Sequence, residues 1–263
     1  MALSALLEVD RVSKYFSTSG TKENLCVFKD ISLHVNEGEF LSVLGHSGCG
    51  KSTLLNIIAG IETASDGNML LDRREVVGPG LDRMVVFQNF ALMPWMTVLG
   101  NVRLAVRAAN SHWTRQRVNE WTRKYLDMVG LNGAENKKPA ALSGGMRQRV
   151  GLARAFSVKP RILLLDEPFA QIDALTRGVI QDELVRMWQE TGITIFMVTH
   201  DVDESILLSD RILLMSPGPD AQIKEEIKVN IPRPRVKGIV IENPEYYEIR
   251  NRIIKFLSQK KES

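Results

Sequence analysis

FLSVLGHSGCGKST, residues 40–53, sets the reading of the whole chain. Phe40–Leu44 is a short apolar run that stops at a glycine, the pattern of a strand buried on both faces. Gly45–Thr53 then fits G-x-x-x-x-G-K-[ST], placed directly after that predicted strand and directly before a predicted helix. The spacing has a physical reason. Gly48 and Gly50 allow the backbone to curl until the N–H groups of Gly45, His46, Ser47, Gly48, Cys49 and Gly50 face inward as an anion nest. The helix starting near Lys51 adds its N-terminal partial positive charge. Lys51 can reach β- and γ-phosphates, the Ser52 hydroxyl can ligate Mg²⁺, and Thr53 extends the cradle toward the α-phosphate.

A second stretch, RILLLDEP at 161–168, repeats the logic of a buried strand with chemistry at its end. Four apolar residues are followed by Asp166 and Glu167, and in an open parallel sheet ligands bind at that carboxyl edge. Asp166 is suited to hold Mg²⁺ through water, because magnesium keeps much of its hydration. Glu167 is then suited to polarise an attacking water as general base. Standing alone, the pair would read as a solvated acidic strand end; beside a phosphate loop it reads as catalytic.

Outward from these stretches, Ile31, Leu33 and Val35 alternate with Ser32 and His34, the period of a half-buried antiparallel strand. Arg161–Leu165, Ile193–Val198 and Arg211–Met215 read as further buried strands. Thr176–Thr191 reads as a helix with Ile180, Leu184 and Met187 on one face. Buried strands alternating with amphipathic helices predict an α/β core with a mostly parallel sheet. Between about residues 91 and 157 no strand is expected. Thr97–Ala109 and Thr114–Met128 read as helices there, the second burying Val118, Trp121 and Tyr125, so a helical insertion is predicted.

Composition bounds the function. A net charge of +3, spread along 263 residues, argues against nucleic-acid binding, and Lys260–Lys261 reads as a solvated terminus. No apolar run reaches the ~18 residues needed to cross a bilayer. MALSALLEVD has no basic n-region, so a signal peptide is not expected. Cys26 and Cys49 make no disulfide framework, which fits a reducing cytosol. If the protein serves a membrane, another chain must span it.

LSGGMRQRVGLARA, Leu142 to Ala155, lies between the two site stretches and resembles the signature of ABC transporter nucleotide-binding domains. With the two motifs in the family's order, the resemblance covers about residues 6–220. It implies an α/β, P-loop NTPase (RecA-like) core with a flanking antiparallel β subdomain and an inserted α-helical subdomain. The expected boundaries are 1–90 and 158–220 for the ATP-binding core, 91–157 for the helical subdomain carrying the signature, and 221–263 for a C-terminal extension without a recognised motif. The resemblance also implies ATP and Mg²⁺ as ligands and a head-to-tail dimer with an identical or paralogous ATPase subunit. In that dimer, Ser143, Gly144 and Gly145 of one subunit cap ATP held by the phosphate loop of the other.

Other roles follow from the resemblance. Gln88, closing the predicted strand Met84–Phe87, matches the Q-loop glutamine that senses Mg²⁺ and the membrane partner. His200 matches the switch histidine that contacts the γ-phosphate, and Asp173 the D-loop aspartate that helps align the dimer. Phe16 aligns with the aromatic that stacks on adenine; Tyr15 is the alternative, and either residue could instead belong to the core. Met146 stands where the family usually has glutamine, and AQID where it usually has a small residue and leucine before the aspartate. Neither departure removes Lys51, Asp166, Glu167 or His200.

Gln88 and the apolar stretch Phe90–Trp95 are the expected coupling surface, with core packing as the competing reading. The likeness is greatest to ATPases of the nitrate/sulfonate/taurine importer group, which includes nitrate and bicarbonate systems. It implies transmembrane permease subunits, an indirectly engaged solute-binding protein and a peripheral position on the cytoplasmic face of the membrane. Two rivals remain: a soluble ABC-type ATPase acting on DNA or ribosomes, which would usually carry a coiled-coil insertion or tandem cassettes, and a P-loop small-molecule kinase, which would not need the signature.

Overall fold

The computed structural model describes residues 5–17, 24–235 and 237–259. The predicted solvated terminus Lys260–Lys261 lies outside the described residues, as do Met1–Ser4. The chain divides into two compact units, Met1–Pro79 with Thr194–Ser263, and Gly80–Ile193.

In the first unit β1 (Ala5–Ser17) pairs antiparallel with β2 (Asn24–Asn36) on one side and with β4 (Asp66–Leu71) on the other, and β5 (Arg74–Glu75) completes the sheet. Ile31, Leu33 and Val35 of β2 are buried while Ser32 and His34 are exposed, as the alternation predicts. In the second sheet of this unit β3 (Phe40–Gly45) runs parallel to β8 (Thr194–Thr199) and to β9 (Arg211–Met215). Every residue of these three strands is buried, the outcome expected of continuous apolar runs. β10 (Ile223–Lys228) closes the β9 edge antiparallel, and its alternating exposure suits an edge strand. Arg211 enters the buried start of β9 with its charge matched by Glu39 at 2.9 Å and Glu226 at 3.3 Å. Helices α1 (Lys51–Ile58), α6 (Val202–Leu208), α7 (Lys237–Val240) and α8 (Pro244–Ser258) complete the unit.

In the second unit β6 (Arg83–Val86) and β7 (Ile162–Asp166) pair in parallel. Between them lie α2 (Val98–Ala109), α3 (Arg115–Met128), a 3-10 turn (Pro139–Ala141) and α4 (Gly144–Ser157), with no strand among the described residues of 91–157. α5 (Ala174–Thr191) follows and buries Ile180, Leu184 and Met187. Thr97 and Thr114 cap α2 and α3 through their side chains, so each helix begins one residue later than predicted.

One core expectation needs correction. In α3, Val118 and Tyr125 are buried but Trp121 is half-buried, and Thr122 takes the fully buried place. Trp121 sits at the rim because its indole N–H donates to the Ser157 carbonyl at 2.9 Å and Lys159 lies 4.9 Å from its ring centre.

Candidate nucleotide site

The phosphate loop leaves β3 at Gly45, where a β-carbon would sit 2.7 Å from the Met215 carbonyl of β9. Gly48 and Gly50 take φ of 79° and 100°, left-handed backbone that side chains disfavour. At Gly50 a β-carbon would also meet Val27 at 2.7 Å. Gly50 is the N-cap of α1, and no side chain caps that helix. A helix N-terminus of this kind carries the partial positive charge that suits an anion.

Lys51 is buried, its Nζ donating to the carbonyls of Gly45 at 2.8 Å and His46 at 2.9 Å. Those are interactions that phosphate oxygens can replace. Ser47 and Ser52 are exposed and Thr53 is half-buried. Cys49 points into the interior, where burial pushes its thiol pKa up, so it offers shape rather than reactivity. His46 is exposed, and its Nε2–H donates to the Leu257 carbonyl of α8 at 2.8 Å.

In the same unit His200 is exposed at the end of β8. The turn behind it is fixed by hydrogen bonds. Asp201 N–H donates to Thr199 Oγ1, the Thr199 hydroxyl donates to Glu204 Oε2, and Glu204 N–H donates to Asp201 Oδ1, each at 3.0 Å. Phe16 is 41% exposed, with Lys14 Nζ 4.8 Å from its ring centre, and Tyr15 is half-buried. Phe16 thus offers the more open aromatic face.

In the second unit β7 delivers Asp166 half-buried at its end, and Glu167 follows half-buried with a left-handed φ of 44°. β6 ends at Val86, earlier than predicted. Gln88 lies in an exposed turn beyond the strand, closed by the 2.9 Å bond from Phe90 N–H to the Phe87 carbonyl.

The predicted coupling stretch divides. Phe90 is buried and Trp95 is 68% exposed, so packing wins for the first and an open surface for the last. A residue that sequence reasoning missed controls this turn. Arg154 of α4 donates to the carbonyls of Ala91 at 2.7 Å and Phe90 at 3.1 Å, holding two consecutive residues with positive φ. The spacing between Arg154 and Phe90 carries no local signal that could have revealed this.

Ser143 is the exposed N-cap of α4, its Oγ accepting from Met146 N–H at 3.2 Å, and Met146 itself is half-buried. Gly144 and Gly145 are within the helix. A β-carbon on Gly145 would come 2.5 Å from Thr176 Cγ2, and one on Gly144 2.9 Å from the Gln171 carbonyl. Val150, Ala153 and Phe156 are buried on the helix's inner face, as expected. Asp173 caps α5, its Oδ1 accepting from Thr176 N–H at 3.0 Å, and that bond to the charged form lowers its pKa.

Residues 28–170 match the ABC transporter family profile. The chain is also 44% identical over 254 residues to the bicarbonate transport ATP-binding protein CmpD of Synechocystis, covering 97% of this chain and 89% of that protein. The chain belongs to the ABC transporter family. Within this ABC family it is 48% identical over 259 residues to the nitrate import ATP-binding protein NrtC of Synechococcus elongatus. That match covers 98% of this chain but only 39% of NrtC, so the chain spans well under half the length of that relative. Among solved structures, the dimeric post-hydrolysis state of the ATP-binding cassette MJ0796 bound to ADP and Pi superposes with a TM-score of 0.75 at 31% identity. It covers 85% of this chain and 99% of that cassette. The fold is that of the ABC cassettes, P-loop NTPases with an α/β core, as expected from the motif order.

Proposed function

We propose that the chain is the ATP-hydrolysing subunit of an ABC importer for a small anion, working through separate permease subunits. The observation that carries this reading is the phosphate cradle Gly45–Thr53 in a chain that parallels a bicarbonate transport ATP-binding protein over nearly its whole length. The names of the relatives point to nitrate or bicarbonate as the solute. They lend nothing to a DNA- or ribosome-directed ATPase. Among the described residues no helix is long and apolar enough to cross a membrane, which suits a subunit peripheral to the cytoplasmic face.

In this reading the loop N–H groups and the N-terminus of α1 receive the phosphates of ATP, and Lys51 exchanges its two carbonyl partners for β- and γ-phosphate oxygens. Phe16 supplies a face for adenine. Ser52, Asp166 and Gln88 offer the hard oxygen donors that suit Mg²⁺, which would neutralise charge between the β- and γ-phosphates. Glu167 accepts a proton from water as the water oxygen bonds to the γ-phosphorus and the bond to the β–γ bridging oxygen breaks, giving ADP and inorganic phosphate. His200 steadies the γ-phosphate oxygens. Ser143, Gly144 and Gly145 of the partner subunit close over the same phosphates, with Asp173 aligning the two chains. Hydrolysis removes the γ-phosphate bridge and lets the halves part. That closure can drive a permease only if ATP favours the closed pair by several kcal/mol.

The test is hydrolysis and uptake by the complex reconstituted in vesicles, with nitrate and bicarbonate as solutes. Wild type is expected to couple ATP turnover to uptake. Glu167→Gln is expected to keep ATP affinity while turnover falls on the order of 10²–10⁴-fold. Near-normal turnover in that variant would remove Glu167 as the base, and hydrolysis without uptake of any anion would remove the importer reading.

A further inference from the structure

The segment after β10 carries no recognised motif, yet its contacts converge on the residues around the nucleotide cradle. α6 begins directly after the switch histidine and its capping Asp201. Its C-terminal end is held by the segment Ile231–Arg235. Arg233 donates to the Leu208 carbonyl at 2.6 Å and to Asp210 at 2.9 Å, and Arg235 donates to the Ile206 carbonyl at 3.1 Å. On its side, Asp203 accepts from the Tyr246 hydroxyl at 2.7 Å and from Arg250 Nε at 3.1 Å, both on α8. The last turn of α8 then presents the Leu257 carbonyl, one of the acceptors a helix end leaves without an intrahelical partner, to the His46 imidazole at 2.8 Å. His46 is the loop residue whose own carbonyl holds Lys51 at 2.9 Å.

From these contacts we infer that α8 is a strut that positions the phosphate loop relative to the switch-histidine helix, with Tyr246, Arg250 and His46 as its positioning residues. About 16 Å of helix separates Tyr246 from Leu257. Ile249 and Ile253 bury the inner face of α8, so its two ends move together rather than independently. The strut fixes the His46 backbone, and through it the carbonyls that Lys51 must leave when phosphate enters. Loosening α8 at the Asp203 end therefore changes nucleotide binding at a loop that Tyr246 and Arg250 do not touch. This inference rests on the loop being an ATP site, as proposed above.

The experiment measures ATP affinity of the full chain by calorimetry for wild type, for His46→Ala, for Tyr246→Phe with Arg250→Gln, and for all three substitutions combined. Arg250 and Asp203 have side chains 39% and 37% exposed, and Phe keeps the Tyr246 ring, so the core stays packed; melting temperatures check this. Each set is expected to weaken ATP affinity about three- to tenfold. The combination is expected to be no weaker than the worse set, because releasing either end frees the strut. His46→Gln, which keeps an N–H donor, is expected to recover most of the loss seen in His46→Ala. Groups this far apart with no shared partner otherwise act independently. Multiplying losses, or unchanged affinity in the Tyr246/Arg250 pair, would overturn the strut. A wild-type chain with no ATP affinity would instead overturn the nucleotide reading itself.

Discussion

The phosphate loop and the signature turn are both glycine-rich entries to a helix, and they are built in opposite ways. At the loop, Gly48 and Gly50 have left-handed φ, the helix has no side-chain cap, and a lysine is buried against backbone carbonyls. At the signature, Gly144 and Gly145 lie inside the helix, Ser143 caps it, and Gly145 is pressed against Thr176. α2, α3, α5, α6 and α8 also carry side-chain caps. A helix that starts on glycine makes no side-chain cap bond, whereas a capped one has spent one of its first N–H groups on that bond. The contrast assigns the two turns different work. In the proposed reading the loop is the anion cradle of its own chain, and the close-packed signature turn meets a ligand held by the partner subunit.

Substitutions can break that contrast. Lys51→Ala strikes the cradle, and loss of a charge-assisted partner costs about 1.5–3 kcal/mol, so ATP affinity measured by calorimetry should fall roughly ten- to a hundredfold. Unchanged affinity would mean the loop does not hold the phosphates. Gly145→Val should act on packing first. The crowding at Thr176 is expected to cost about 1–3 kcal/mol, read as a lower unfolding midpoint, while ATP affinity of the isolated chain stays near wild type. A large loss of affinity in that variant would erase the distinction between the turns.

The smallest effect concerns Asp173. Its folded pKa lies below its unfolded value, so its cap stabilises the fold above the unfolded pKa and that contribution disappears as pH falls through the folded pKa. Asp173→Asn keeps an acceptor for Thr176 N–H but not the charge. Melting curves from neutral to acid pH should therefore be flatter for the variant than for wild type; parallel curves would remove the charge from the cap.

Much of this is legible in the amino-acid sequence. β3 and β9 announce themselves because strands buried on both faces need continuous apolar runs, and the loop because its glycines recur at fixed spacing. The helix α5 shows its buried face through its period. What stayed hidden depends on partners far along the chain. Trp121 was expected in the core by its period, but the Ser157 carbonyl draws its N–H to the rim. Phe90 and Trp95 belong to one apolar run, yet the Arg154 clamp fixes the turn at Phe90, which is buried, and leaves Trp95 exposed. The C-terminal segment looked featureless because arginine-to-carbonyl bonds such as those of Arg235 have no period. Burial and the neighbouring Arg233 push the Arg235 pKa down to about 10, a cost visible only once the chain is folded.

The most direct test of the account is the structure of the Glu167→Gln chain saturated with ATP and Mg²⁺. The account predicts a dimer in which the γ-phosphate oxygens bond both to Lys51 of one chain and to Ser143 of the partner subunit. ATP bound to the Gly45–Thr53 loop with Ser143 of every copy facing solvent would contradict it.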